Sequence, residues 1–369
     1  MELDPERLLP EIEPLQLLDP DGRLRERNGV DLDLDDESLL EMYRHMVVTR
    51  RLDREFINLQ RQGQLGVYPP CLGQEAAQVG SAFALGDDDW IFPQYRELGC
   101  AVVRGLPPEQ LAHLWRGTWL ADHDAYEHRF AYLSIPIGTH PLHAVGFGMG
   151  ARLDQNPIVV ATYFGDGATS GGDVHEALNF AGVFRSPVVF FVQNNRWAIS
   201  VPLEEQTAAP TLAHKGVGYG IPSARCDGND VLASYVTMRS AVQRARDGGG
   251  PTLIEAMTYR MEAHTTSDDP SRYRTSEELD HWARYDPITR FRRFLTHQGL
   301  LDDAGTAAAH DAGETAATRL RAAVYDAPAG PPEEIFAHVY VDPGSAFDRQ
   351  RALMAEELHE HRDDAGTAP

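Results

Sequence analysis

Two continuously apolar runs dominate the pattern of hydrophobic and polar positions. Ile158 to Phe164 and Val188 to Val192 are rich in β-branched and aromatic residues, as strands buried on both faces are. Between them, about Val174 to Val183 reads as a helix. Strand, crossover helix, strand predicts a parallel α/β unit. The first strand breaks at Gly165-Asp166-Gly167 and the second at Asn194-Asn195. Ligands of such sheets bind just beyond the carboxyl ends of the strands. The two breaks are therefore expected side by side.

The flanking pattern supplies the rest of an α/β domain. Residues 1–36 lack periodicity and read as an extended arm, suited to lie along a neighbouring subunit. Ser38 is the predicted N-cap of a long helix to about Gln62, with Leu39, Met42, Met46 and Leu52 on its apolar side. A small-residue helix is expected from Gln74 to Leu85, with Gln74 and Glu75 capping its start. Trp90 to Pro93 reads as a short strand, and Gln94-Tyr95-Arg96-Glu97 as the opening of the next helix. The helix His140 to Leu153 contains Ala144, Gly146, Gly148 and Gly150, small residues that imply close helix or subunit contact. Further on, SARCDG (223–228) and Thr252 to Tyr259 read as strands. Between them Val231, Tyr235, Met238, Val242 and Ala245 form a helical core stripe. Helical segments follow to about Tyr325, then a Pro/Gly linker at 327–332 and a last helix from Phe347 to Glu360. The implied division is an arm (1–36), an α/β domain (37–300) and a C-terminal helical extension (301–369).

Charge narrows the classes of partner. The chain has 33 basic and 56 acidic side chains, a net charge of −23, which argues against nucleic acid and anionic membranes. No apolar stretch approaches a membrane-spanning length, and the acidic N-terminus is unlike a signal or Arg-rich transit sequence. Cys71, Cys100 and Cys226 are widely spaced without metal-ligand spacing, which fits reduced thiols in a cytoplasmic protein.

The candidate chemistry lies at the two breaks. Asp166 offers one carboxylate and Asn195 one amide oxygen, while Gly165, Gly167 and Ala168 allow backbone N–H groups close to an anion. One carboxylate, with phosphate and water supplying the other oxygens, suits Mg²⁺. The predicted ligand is a metal diphosphate. A Mg-dependent phosphotransferase is the competing class. It would require a Lys-bearing glycine loop such as GxxxxGKS, which is absent; the lysine near the site is Lys215.

GDG, 26 intervening residues and NN together resemble the metal-diphosphate motif of thiamine diphosphate enzymes. QYRELG (94–99), SIPIGTH (134–140) and the loop MEAHTTSDDPSRYRT (261–275) resemble elements of the alpha chain of the 2-oxo acid dehydrogenases. The likeness extends over roughly residues 38–360. It implies a thiamin-diphosphate-binding fold, a parallel sheet flanked by helices. Thiamine diphosphate and Mg²⁺ are the implied cofactors, with Asp166, Asn195 and the Trp197 carbonyl holding the metal. Tyr95, Arg96, Gln193 and His264 surround the phosphates in this reading, and Ile137 is the apolar residue under the bent cofactor. His264 also approaches the substrate.

Two departures stand out. The family's usual Glu before Gly-Asp is Gly171 here, and Gln193 replaces an Arg of some relatives, which weakens one diphosphate contact by about 1 kcal/mol. Thr265 follows His264 where animal relatives carry a phosphorylatable Ser, so that control is not expected. No second α/β domain is evident. The resemblance therefore implies a beta subunit in an α₂β₂ heterotetramer and a lipoyl acyltransferase core as acyl acceptor. Branched-chain 2-oxo acids are favoured over pyruvate or acetoin.

Overall fold

The two apolar runs form the middle of a five-stranded parallel sheet. The strands are β1 (Trp90–Phe92), β2 (Val160–Gly165), β3 (Val188–Asn194), β6 (Ser223–Asp227) and β7 (Thr252–Met257), in the order β1-β2-β3-β7-β6. Between β3 and β6 lies a small antiparallel hairpin, β4 (Trp197–Ala198) with β5 (Val201–Pro202). The computed structural model describes residues 8–25, 32–117, 123–326, 334–337, 339–342 and 344–365.

Alternate side chains of the central strands feed two cores. Val159, Ala161, Tyr163, Val189 and Phe191 join one cluster; Val160, Phe164, Val188, Phe190 and Val192 join the other. Burial on both faces is why these strands are apolar throughout instead of alternating. The parallel register sets Gly165 beside Gln193 and Asn194 beside Met257. The loops after β1, β2, β3 and β7 consequently emerge at one edge of the sheet.

The helices follow the sequence pattern with local corrections. The long helix is Asp36–Arg61, and its N-cap is Asp35, whose carboxylate accepts from the Ser38 N–H at 2.8 Å. Ser38 thus lies inside the helix; Asp35 is the better cap because it adds charge complementary to the helix dipole. Leu39, Met42, Met46 and Leu52 are buried as expected. The small-residue helix spans Glu75–Phe83 and the glycine-bearing one Thr139–Leu153. All five stripe positions of Val231–Arg246 are buried.

The described part of the N-terminal arm lies on its own chain. Leu15 pairs with Cys226 at the free edge of β6, and the Leu17 and Leu18 N–H groups donate to the Asp230 carboxylate at 2.7 and 2.6 Å. The chain divides into Met1–Tyr325 and Asp326–Pro369. The long helix Asp303–Asp326 ends at that division. In the second unit, a helix at Gly344–Ala365 carries Phe347, whose ring meets Phe336 and Tyr340 edge-on. The expected linker at 327–332 lies outside the described residues. The three cysteines are buried and free. No helix among the described residues is long and apolar enough to cross a membrane.

Candidate functional site

The loops at the carboxyl edge of the sheet enclose a cleft of about 240 Å³. The residues given a cofactor or metal role from the sequence line it: Tyr95, Arg96, Ile137, Gly165, Asp166, Gly167, Ala168, Gln193, Asn195, Trp197 and His264.

Asp166 opens a tight 3₁₀ turn directly after β2 and is 1% exposed. A Cβ at Gly167 would lie 2.7 Å from that of Ala198, so glycine lets this turn pack against the Asn195–Ala198 loop. Asn195 Oδ1 lies 3.3 Å from Asp166 Oδ1 and 3.2 Å from the Trp197 carbonyl oxygen. An octahedral Mg²⁺ with bonds of about 2.0–2.1 Å has adjacent ligands about 3.0 Å apart. The Asn195 oxygen thus lies at close to that spacing from oxygens of two other groups. Burial raises the Asp166 carboxyl above its ordinary value, although the Gln206 amide donates to its Oδ2 at 2.9 Å and opposes the rise. A cation here would relieve both the oxygen contacts and the buried charge. Among the described residues no group of three His, Cys, Asp or Glu side chains forms a competing metal site.

The loop after β3 is held in an uncommon shape. Arg196 and Ile199 have φ of +76° and +56°, a left-handed backbone that a β-branched Ile rarely adopts. The reason is visible in its bonds: Arg260 donates to the Trp197 carbonyl at 3.1 Å and to the Ile199 carbonyl at 2.6 Å. Arg260 follows β7, is fully buried, and has an Nε without a partner. Sequence reading passed over it as the end of a strand. Its location at the sheet's carboxyl edge was the available signal.

Arg96 and Arg260 converge on His264. Arg96 Nη2 lies 3.2 Å and Arg260 Nη1 3.3 Å from His264 Nδ1, and Arg96 also donates to the His264 carbonyl at 3.0 Å. Two guanidinium groups make Nδ1 an acceptor and place the ring proton on Nε2. Burial, reinforced by Arg96 and Arg260, pushes His264 down to about 3. Its backbone N–H is fixed by the Asp268 carboxylate at 2.8 Å. The Tyr95 ring meets the imidazole edge-on, with centroids 6.3 Å apart. On the other side of the cleft, Gly138 at φ +83° turns the chain into the helix Thr139–Leu153, leaving Ile137 51% exposed.

Three local readings are corrected. Tyr95 and Arg96 precede the next helix, which is Leu98–Val103, because the Glu97 carboxylate takes the Gln94 and Arg96 N–H groups at 2.9 and 3.0 Å and holds a turn. Gln74 caps nothing with its side chain. It faces the cleft, accepts from the Asn195 amide at 3.2 Å, and has an unpartnered buried Nε2. Gln193 is directed inward: its Nε2 donates to Glu97 at 2.7 Å and its Oε1 accepts from Gln78 at 3.0 Å. Burial raises Glu97 to about 7. At the other departure, Gly171, a Cβ would meet the Ala168 carbonyl at 3.3 Å, a tight but negative-φ position. Lys215 secures the same turn from outside, donating to the Thr169 carbonyl and hydroxyl at 2.9 and 2.8 Å.

A second chamber, about 350 Å³, adjoins this cleft and shares Tyr95, Ile137 and His264 with it. Its remaining walls are mostly apolar: Val67, Pro69, Leu114, Trp115 and Ile135.

Comparison with known proteins places these features in context. The family model for the dehydrogenase E1 component matches residues 43–333. The chain is 53% identical over 353 residues to the 3-methyl-2-oxobutanoate dehydrogenase subunit alpha of Mycobacterium tuberculosis, covering 94% of this chain and 95% of that protein. It is 45% identical over 268 residues to the pyruvate dehydrogenase E1 component subunit alpha of Acholeplasma laidlawii, covering 72% and 78%. The Staphylococcus aureus protein of the same name is 42% identical over 292 residues, covering 79% of each chain.

Proposed function

From the premise that this chain belongs to the dehydrogenase E1 component family, we propose that it is the alpha subunit of a branched-chain 2-oxo acid dehydrogenase. In this reading it carries the diphosphate half of a thiamine diphosphate site and works with a beta subunit. The observation that carries the branched-chain preference is the apolar chamber opening from His264, Tyr95 and Ile137. An unbranched acetyl precursor would leave much of that volume unfilled, whereas burying each additional CH₂ favours binding by about 0.8 kcal/mol. The 53% identity to a 3-methyl-2-oxobutanoate dehydrogenase subunit alpha, across nearly the whole of both chains, supports the same assignment.

The residues divide the work. Asp166, Asn195 Oδ1 and the Trp197 carbonyl hold Mg²⁺. Arg96 and Arg260 neutralise the diphosphate, and the neutral His264 offers its Nε2–H. Ile137 supports the cofactor between its two ends. When bound, thiamine diphosphate supplies the carbon nucleophile and electron sink for loss of carbon dioxide. Tyr95, Ile137 and Trp115 would present apolar surface beside the bound cofactor and substrate. Because burial beside Arg96 and Arg260 keeps His264 neutral across the physiological range, the imidazole stays an Nε2–H donor while the cleft binds.

The described residues contain one parallel sheet. In the proposed assembly the carboxylate that activates the cofactor's ring comes from the beta subunit, in an α₂β₂ arrangement. A lipoyl domain of an acyltransferase core accepts the acyl group near His264. The test is reconstitution: release of carbon dioxide from 3-methyl-2-oxobutanoate should require this chain, the beta subunit, Mg²⁺ and thiamine diphosphate together. Turnover by this chain alone would overturn the two-subunit reading.

A further inference from the structure

In a chain with 33 basic and 56 acidic side chains, a concavity to which four arginines and one glutamate contribute runs against the overall charge. One lies where the helices Asp36–Arg61, Pro287–His297 and Asp303–Asp326 meet, with a volume of about 290 Å³. Arg50, Arg51 and Arg54 reach it from one face of the first helix, Arg292 from the second, and His310 from the third.

The internal carboxylates do not satisfy this cluster. Arg50 is committed through Nε to Glu75 at 2.8 Å and through Nη1 to Asp286 at 2.6 Å. Arg51 bonds Glu55 at 2.9 Å and Glu314 at 2.7 Å. Arg54 and Arg292 make no hydrogen bond or ion pair among the described residues. The guanidinium groups of Arg54 and Arg292 thus line this concavity with no internal counter-ion among the described residues, and an acceptor with several oxygens would supply one.

We propose that this three-helix cavity binds a compact oxyanion, with a phosphate group as the fitting chemistry. Tetrahedral oxygens accept from several guanidinium groups at once. Glu75, which takes the Nε of Arg50, directly follows Gln74 of the cofactor cleft, so the anion would sit one ion pair from that cleft. The site does not depend on which substrate the cleft takes.

Isothermal titration of the full-length protein with inorganic phosphate, at fixed ionic strength in chloride, tests this. Saturable binding is expected, and Arg54→Gln combined with Arg292→Gln should weaken it at least tenfold. These two side chains are exposed and unbonded, so the double variant should keep the parent's melting temperature. A phosphate monoester titrated in parallel separates the sources. Binding at least tenfold tighter than inorganic phosphate points to a phosphorylated metabolite, and equal binding points to free phosphate. Absence of saturable binding, or equal binding by parent and double variant, overturns the proposal.

Discussion

Asn195 Oδ1 faces Asp166 Oδ1 across 3.3 Å, oxygen to oxygen, at the carboxyl edge of the sheet. Without a cation, this contact is relieved by turning over the Asn195 amide, with Gln74 turning in response, since the Gln74 Nε2 has no other partner. With a cation, the oxygens remain directed inward. If the pair holds the proposed Mg²⁺, its cost without the cation falls on a buried carboxylate.

Asp166→Asn tests that cost. Burial raises the Asp166 carboxyl, so replacing it with a neutral isostere should stabilise the metal-free chain. The same change should lower Mg²⁺-dependent binding of thiamine diphosphate at least about a hundredfold, by loss of the one charged ligand. Thermal melts without metal and calorimetric titration with it measure the two effects. Loss of stability together with retained cofactor affinity would remove Asp166 from the metal site.

His264 should remain neutral well below the ordinary histidine range. Its folded value, about 3, lies under the unfolded value near 6.5. Its contribution to stability is therefore present above about pH 6.5 and is lost as pH falls through the folded value. In a ¹⁵N-histidine spectrum, His264 should keep a pyridine-like Nδ1 and a protonated Nε2 from pH 8 to pH 5. Titration near pH 6.5 would show that Arg96 and Arg260 do not hold the tautomer.

Glu97 has the opposite linkage. Its folded value is about 7 against 4.5 for an ordinary Glu. Between those values the unfolded chain loses its proton first, so stability falls as pH rises, by on the order of 3 kcal/mol once above pH 7. Glu97→Gln removes the ionisation but keeps an acceptor for the Gln94 and Arg96 N–H groups. The variant's melting temperature should rise relative to the parent between pH 5 and pH 8. A constant difference over that range would contradict the buried-carboxyl account.

Ile137 separates support of the ligand from support of the fold. Half its surface is exposed in the cleft, so Ile137→Ala should change folding stability by less than about 1 kcal/mol. Apparent affinity for thiamine diphosphate should fall by about tenfold as apolar contact is lost. A large stability loss with unchanged cofactor affinity would assign Ile137 to packing.

The sequence made the position of this site legible because a parallel sheet leaves little freedom. Once Ile158–Phe164 and Val188–Val192 read as neighbouring strands, the loops at Asp166 and Asn195 had to emerge together. The structure places them so, with Gly165 in register with Gln193. Less legible were contacts that cross between loops. Nothing in the spacing of Arg260 shows its guanidinium reaching back to the Trp197 and Ile199 carbonyls. Nor does a Gln at a helix start reveal that Gln74 turns into the cleft. Gln193 aims at Glu97 because the buried carboxylate competes for its amide, a contact between residues 96 positions apart. Cap identity failed for a local reason: Asp35 and Ser38 are both good N-cap residues, and Asp35 adds favourable charge at the helix start.

Substrate preference tests the central claim most directly. The chain should be purified with its beta subunit, loaded with Mg²⁺ and thiamine diphosphate, and assayed for decarboxylation of 3-methyl-2-oxobutanoate and of pyruvate under the same conditions. The apolar chamber beside His264 predicts a kcat/KM at least about tenfold higher for 3-methyl-2-oxobutanoate, roughly the effect of burying two additional methyl groups. Equal or higher kcat/KM for pyruvate would contradict the branched-chain assignment.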